Sequence, residues 1–151
     1  MTDNMDSFST MLRKALGDRI APDAATFLDM VANDGVMEFP YAPTGLATRL
    51  DGKAAIAHHL ESLGGMIAFD GIGEPTIYAT TDPDVTIVEF EGFGRGVSTG
   101  ESYDQRYISV IRTNAGRIVH YRDYWNPLVL LRALRGSAVV DALASGASDH
   151  G

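Results

Sequence analysis

The chain has 151 residues, 45% of them hydrophobic and 21% charged, which fits one globular domain and excludes a disordered chain, a collagen-like repeat and a coiled coil. Twelve basic residues against 20 acidic ones give a net charge of −8, and an acidic surface repels nucleic acid and anionic membrane alike. Cysteine is absent, which removes disulfides, thiol nucleophiles and thiolate metal sites together.

The first residues, Met-Thr-Asp-Asn-Met-Asp, carry no basic region followed by an apolar run, and no stretch reaches the roughly 18–20 apolar residues of a membrane span. The expectation is a cytoplasmic protein. Phe8, Met11, Leu12, Ala15 and Leu16 follow the spacing of one helix face, with Asp6 or Ser7 to cap it and Gly17 to end it. A second helix is expected from about Asp23, turning Phe27, Leu28 and Val31 inward and stopped by Asn33-Asp34-Gly35. Val36 to Tyr41 reads as a short strand broken by Pro40. A third helix starts near Asp51 or Gly52, carries Ile56, Leu60 and Leu63 on one face, and ends at Gly64-Gly65.

From there the period changes to two. Thr76 to Thr80, Val85 to Gly96, Tyr103 to Thr113 and Arg117 to Trp125 read as strands. Thr81-Asp82-Pro83-Asp84 and Thr113-Asn114-Ala115-Gly116 supply turns. Glycines 92, 94 and 96 alternate in the long strand and favour a bend or bulge; with no helix after them they are not a phosphate-binding fingerprint. Asn126-Pro127 starts a last helix, with Leu128, Leu131 and Leu134 along it and Gly136 closing it. Helices first and hairpin-linked strands afterwards give an α+β fold, a curved mixed or antiparallel sheet wrapped around the N-terminal helices. The expected organisation is one domain over 1–136 and a loosely ordered tail, rich in Ala, Ser and Gly, over 137–151.

Strict alternation in the last strand puts Val119, Tyr121, Asp123 and Trp125 on one face. Asp123 then sits among aromatic neighbours, where partial desolvation raises a carboxyl pKa toward the range of a general acid or base. A structural carboxylate, paired with Arg or capping the next helix, would fit the same position. In the long strand Ile87, Glu89 and Glu91 share a face opposite Val88 and Phe90. If the Glu face lines the inside, two carboxylates lie about 7 Å apart along the strand; otherwise they are solvated. Glu38 shares a face with Val36 and Pro40 in an apolar strand, as a site residue or half of a buried pair. In the third helix His59 lies about 60° from the apolar stripe and His58 about 160° from it. His59 thus borders the interior, as a proton shuttle or as a boundary histidine bonded to backbone. No two histidines have ligand spacing, and no serine elbow is present, so neither a metal nor a serine nucleophile is indicated.

Three strings, Gly52-Lys53-Ala54-Ala55-Ile56, Val88-Glu89-Phe90-Glu91-Gly92 and Tyr121-Arg122-Asp123-Tyr124-Trp125-Asn126-Pro127, resemble the SnoaL-like branch of the nuclear transport factor 2-like superfamily. That branch includes ketosteroid isomerases, polyketide cyclases and limonene epoxide hydrolase. The resemblance runs from about Phe8 to Leu134 and implies a cone-shaped barrel with an internal pocket. Thr81-Asp82-Pro83, the Val88 string and Leu131-Arg132-Ala133-Leu134 look most like the phenazine-biosynthesis small proteins of this superfamily. Their acid/base glutamate falls on Asp123 and their pocket histidine on His59. Val36-Met37-Glu38-Phe39-Pro40 departs from their first strand, so their substrate does not carry over. Acids stand at 89 and 91, where the epoxide hydrolase has an Arg and an Asp, and Phe39 stands where ketosteroid isomerases place their base.

The resemblance implies a cofactor-free enzyme, isomerase, cyclase or hydratase-like, acting on an apolar cyclic or polyketide-like molecule. Asp123 and His59 are its expected catalytic residues. Glu38 and Glu89 would tune the pocket, and Phe39, Tyr107, Tyr121 and Trp125 would line it. A non-catalytic binding protein or a dimeric scaffold of the same fold is the alternative. A homodimer through the outer sheet face is expected, with Val88, Phe90, Ile108 and Val110 as its apolar patch.

Overall fold

The computed structural model describes residues 3–149, with side chains described over 5–143. Helix α1, Asp3–Leu16, buries Met11, Leu12, Ala15 and Leu16, the stripe its spacing predicts. Gly17 follows at φ +53°, the left-handed conformation that releases the chain from a helix. Ser9, also buried, accepts the backbone N–H of Phe27 at 2.9 Å and ties α1 to the next element.

The second helix is far shorter than its spacing suggests. Helix α2 is only Phe27–Met30, opened by a capping box in which Thr26 and Asp29 each accept the other's backbone N–H at 3.2 Å. Val31 then turns extended and begins strand β1, Val31–Glu38. Asn33-Asp34-Gly35 does not stop a helix; it forms a bulge within β1, where the register shifts between Val31 and Val36. A Cβ at Gly35 would lie 2.8 Å from Val31 Cγ1 and about 3 Å from two backbone carbonyls, so the bulge requires glycine there. Pairing of Val31 with a distant strand overrides the local helical spacing.

Strand β2, Arg49–Asp51, precedes α3, Lys53–Met66; strand β3, Ile67–Ile72, follows it with no turn between. Neither strand was expected. β2 is three residues long, and the start of β3 is hidden by the helical run across Gly64-Gly65. Strands β4, Thr76–Ala79, β5, Val85–Gly96, β6, Gln105–Asn114, and β7, Arg117–Trp125, agree closely with the period-two reading.

The sheet order is β2-β1-β7-β6-β5-β3, and β4 also pairs with β5. All pairs are antiparallel except β1 with β7. The result is the expected α+β architecture: a curved, unclosed mixed sheet with helices against its concave face. Thr86, Val88, Phe90 and Gly92 of β5 and Gln105, Tyr107, Ser109, Ile111 and Thr113 of β6 are buried on that face. Val88 and Phe90 therefore belong to the core and not to the outer patch; Ile87, Ile108 and Val110 are the apolar side chains outside. The larger apolar set takes the interior and leaves the Glu-bearing face to water.

Strand β7 departs from strict alternation. Arg112 pairs with His120 but Thr113 with Ile118, so one residue is extra at Val119. Ile118, Tyr121 and Asp123 are buried, and Val119 is not on their face as alternation would have it. The glycine run of β5 also gains a role. A Cβ at Gly94 would sit 2.4 Å from the Ala68 carbonyl and one at Gly96 1.9 Å from the Ala133 carbonyl, so β3 and the last core helix approach β5 backbone to backbone. The expected irregularity falls in β3, opposite Phe93 and Gly94.

Helix α4, Pro127–Arg135, starts as its sequence predicts: Asn126 accepts the Leu128 N–H at 3.0 Å, Pro127 follows, and Gly136 closes at φ +95°. The stretch 137–151, expected as a loose tail, is helical over Ser137–Asp149 as α5. Among the described residues, no helix is long and apolar enough to cross a membrane.

Candidate active site

A cavity of about 410 Å³ opens between the sheet's concave face and the helices. Met5 and Phe8 reach it from α1, His59, Leu60 and Leu63 from α3, and Ile67, Phe69 and Ile72 from β3. Met37 and Phe39, Phe90 and Gly92, Tyr107, Tyr121 and Asp123 complete the wall. Among the described residues, no lysine or arginine lines it.

Asp123 is 8% exposed. Its side chain has one described hydrogen bond: the Ser109 hydroxyl, directly across the β6–β7 pair, donates to Oδ1 at 3.4 Å. Burial without a countercharge pushes the carboxyl pKa up to about 8, and the Ser109 bond opposes this only in part. The group is therefore mostly protonated at pH 7, a buried acid with a proton to give. Ser109 also lies 2.8 Å from the Tyr121 hydroxyl. The Tyr107 hydroxyl meets that of Tyr103 at 3.0 Å. Burial raises the phenol pKa of Tyr107 and Tyr121 well above the ordinary value, and Asp123's charge adds to it, so both are neutral donors. Gln105, 1% exposed, donates to the Asn126 carbonyl and accepts its N–H, both at 2.9 Å, and so pins the junction of β7 and α4.

His59 is half-buried, and its ring lies 5.0 Å from that of Phe39 at 30°. Desolvation, with His58 adding to it, lowers its pKa, so the imidazole is neutral at pH 7. Trp125 does not line the cavity; its ring packs on Phe39 at 6.2 Å and backs the wall.

Two more expected pocket residues lie elsewhere. Glu38 is on the opposite face of β1 from Met37, where His120 Nε2 meets its Oε1 at 2.5 Å and Arg49 approaches at 3.7 Å. Glu89 is on the outer face of β5, where the Tyr78 hydroxyl donates to it at 3.1 Å. Each ion or dipole partner outside offers what the apolar cavity lacks, so the carboxylates take the wet face. Glu38, Glu89 and Asp123 are not brought together, and among the described residues no cluster of three His, Asp or Glu side chains is placed to hold a metal.

Ser109 was not singled out from sequence. Counted back from the Asn114–Arg117 pair at the turn, it would face Arg122; the bulge at Val119 advances the register by one and brings Asp123 opposite.

A SnoaL-like domain model matches residues 13–121. The chain is 42% identical over 126 residues to YesE of Bacillus subtilis (strain 168), an uncharacterised protein, covering 83% of this chain and 86% of that one. It is 40% identical over 125 residues to an uncharacterised PhzA/B-like protein of Pseudomonas aeruginosa, covering 83% and 88%. A Bacillus subtilis crystal structure, provisionally named an isomerase, superposes with a TM-score of 0.72 at 41% identity, over 85% of this chain and 92% of that one. An NTF2-like protein of Burkholderia xenovorans shares the fold at 24% identity, with a TM-score of 0.65 over 86% and 91% of the two chains. The family match over most of the chain and the two relatives at 40% identity or more make this protein a member of the SnoaL-like family, with the NTF2-like cone as its fold.

Proposed function

We propose that the cavity is a cofactor-free acid/base site in which Asp123 moves a proton to or from a carbon next to a carbonyl of an apolar cyclic or polyketide-like molecule. The observation that carries this reading is a carboxyl group with no countercharge, at the wall of an otherwise apolar cavity. A volume of about 410 Å³ suits one small molecule. The aromatic walls exclude water from the reacting centre and strengthen every polar contact inside. In an isomerisation, the minor fraction of Asp123 that is ionised at pH 7 takes the proton beside the carbonyl, the electron pair moves to the carbonyl oxygen, and the acid so formed returns the proton at another carbon. No electrons are consumed and the carboxylate is restored. His59, neutral at the cavity wall, accepts from or donates to the substrate and fixes its orientation. The name of the Bacillus subtilis structure supports a reaction of this class.

Incubating cyclic ketones with the protein in D2O tests the proposal. Proton NMR is expected to show deuterium entering beside the carbonyl with the wild type and not with Asp123→Asn. Equal exchange by the two proteins would overturn the mechanism. A ligand that binds both equally and never exchanges would make the cavity a binding site without chemistry.

The apolar strip of Ile87, Ile108 (41% exposed) and Val110 on the outer face supports a homodimer through that face. Sedimentation at micromolar concentration should give a dimer; a monomer alone would contradict it.

A further inference from the structure

We propose that Ser109 and Tyr121 are positioning residues that hold Oδ1 of Asp123 in a one-way hydrogen-bond chain, from Tyr121 to Ser109 to Asp123, and so reserve Oδ2 as the oxygen that carries the proton into the cavity. This rests on the reading of Asp123 as the acid/base.

The direction follows from counting protons. Ser109 is fully buried, with one hydroxyl proton and two neighbours, the Tyr121 hydroxyl at 2.8 Å and Asp123 Oδ1 at 3.4 Å. Ser109 is the only described hydrogen-bond partner of Tyr121's hydroxyl. If Ser109 donated to Tyr121, the tyrosine proton would be left unpaired, and Oδ1 would face a serine lone pair. Both costs vanish when Tyr121 donates to Ser109 and Ser109 donates to Oδ1. The arrangement serves both states of the acid. As a carboxylate, Asp123 accepts at Oδ1; as a neutral acid protonated at Oδ2, its carbonyl-like Oδ1 accepts still.

Oδ2 has no described hydrogen-bond partner. Among the described residues, no side-chain oxygen shut off from the surface lacks one, so Oδ2 keeps surface on the cavity. Besides Tyr121, the titratable groups facing the same space are His59 from α3 and Tyr107 from β6, with Tyr103 bonded behind Tyr107; among the described residues α1, β1, β3 and β5 contribute none. Among the described residues, Ser109 alone donates to Oδ1.

The test is the titration of the Asp123 carboxyl carbon by 13C NMR in the full chain. A hydrogen bond to the charged form favours that form, so Ser109→Ala should move the midpoint upward by about 0.5–1 pH unit. Tyr121→Phe, which keeps the ring, should move it in the same direction by less. Because Tyr121 acts only through Ser109, the double variant should titrate where Ser109→Ala does. An unmoved or lowered midpoint in Ser109→Ala, or additive shifts in the double variant, would overturn the chain. The readout needs no turnover. An inactive Asp123→Asn with unmoved midpoints sinks the relay alone, while shifted midpoints with full activity in Asp123→Asn sink the catalytic reading alone.

Discussion

Replacing Asp123 with Asn should remove a pH dependence of stability that the buried acid imposes. In the folded protein the carboxyl titrates near 8; in the unfolded chain it titrates at its ordinary value of 3.8. Between those values the folded state binds the proton and the unfolded state does not, so stability falls as pH rises. The contribution is fully present below about pH 4 and is lost progressively up to about pH 8. About four pH units at roughly 1.4 kcal/mol each give about 5–6 kcal/mol over the whole window, of which about 4 kcal/mol falls between pH 5 and pH 9. Asparagine keeps the shape and the acceptor for Ser109 but cannot titrate. Its amide adds a constant offset, so the informative quantity is the slope. Urea unfolding of both proteins at several pH values between 5 and 9 measures it. The difference in unfolding free energy should swing toward the variant by about 4 kcal/mol across that range. A difference that stays flat would refute the reasoning, because it would mean that Asp123 titrates alike in both states.

Three further outcomes follow from the packing and the charges. Gly96→Ala drives a Cβ into the Ala133 carbonyl, a backbone atom that cannot rotate away, and should lower stability by about 1–3 kcal/mol or more in the same unfolding assay. Glu38→Gln and Glu89→Gln alter only the outer faces of β1 and β5 and should leave ligand affinity in the cavity unchanged by calorimetry. His59 has the opposite linkage to Asp123: its folded pKa lies below the ordinary value of 6.5, so its contribution is present above pH 6.5 and lost as pH falls through the lowered value. Thermal melts of His59→Phe, which keeps a ring against Phe39, should lose less stability than the wild type on going from pH 7 to pH 5.

Much of this was legible in the chain. The long period-two runs gave the bounds of β5 and β7 to the residue, because side chains that alternate between a core and a wet face mark where a strand begins and ends. Asp123 and His59 could be oriented from their apolar neighbours alone. Three things could not be read. The helix expected from about Asp23 is cut to Phe27–Met30 by a parallel pairing of Val31 with β7, a contact between residues far apart in sequence that no local pattern announces. The two Glu residues of apolar-looking strands went outside because their partners there, His120, Arg49 and Tyr78, come from other strands. Ser109 was hidden by a single extra residue at Val119, which changes the partner of every residue beyond it in the hairpin.

The most direct measurement of the central claim is the carboxyl-carbon titration of Asp123 in the unmodified protein. A midpoint near 8 is expected, with the acid still largely protonated at pH 7. A midpoint in the ordinary range near 4 would mean a charged, solvated carboxylate and would contradict an apolar acid/base site built around it.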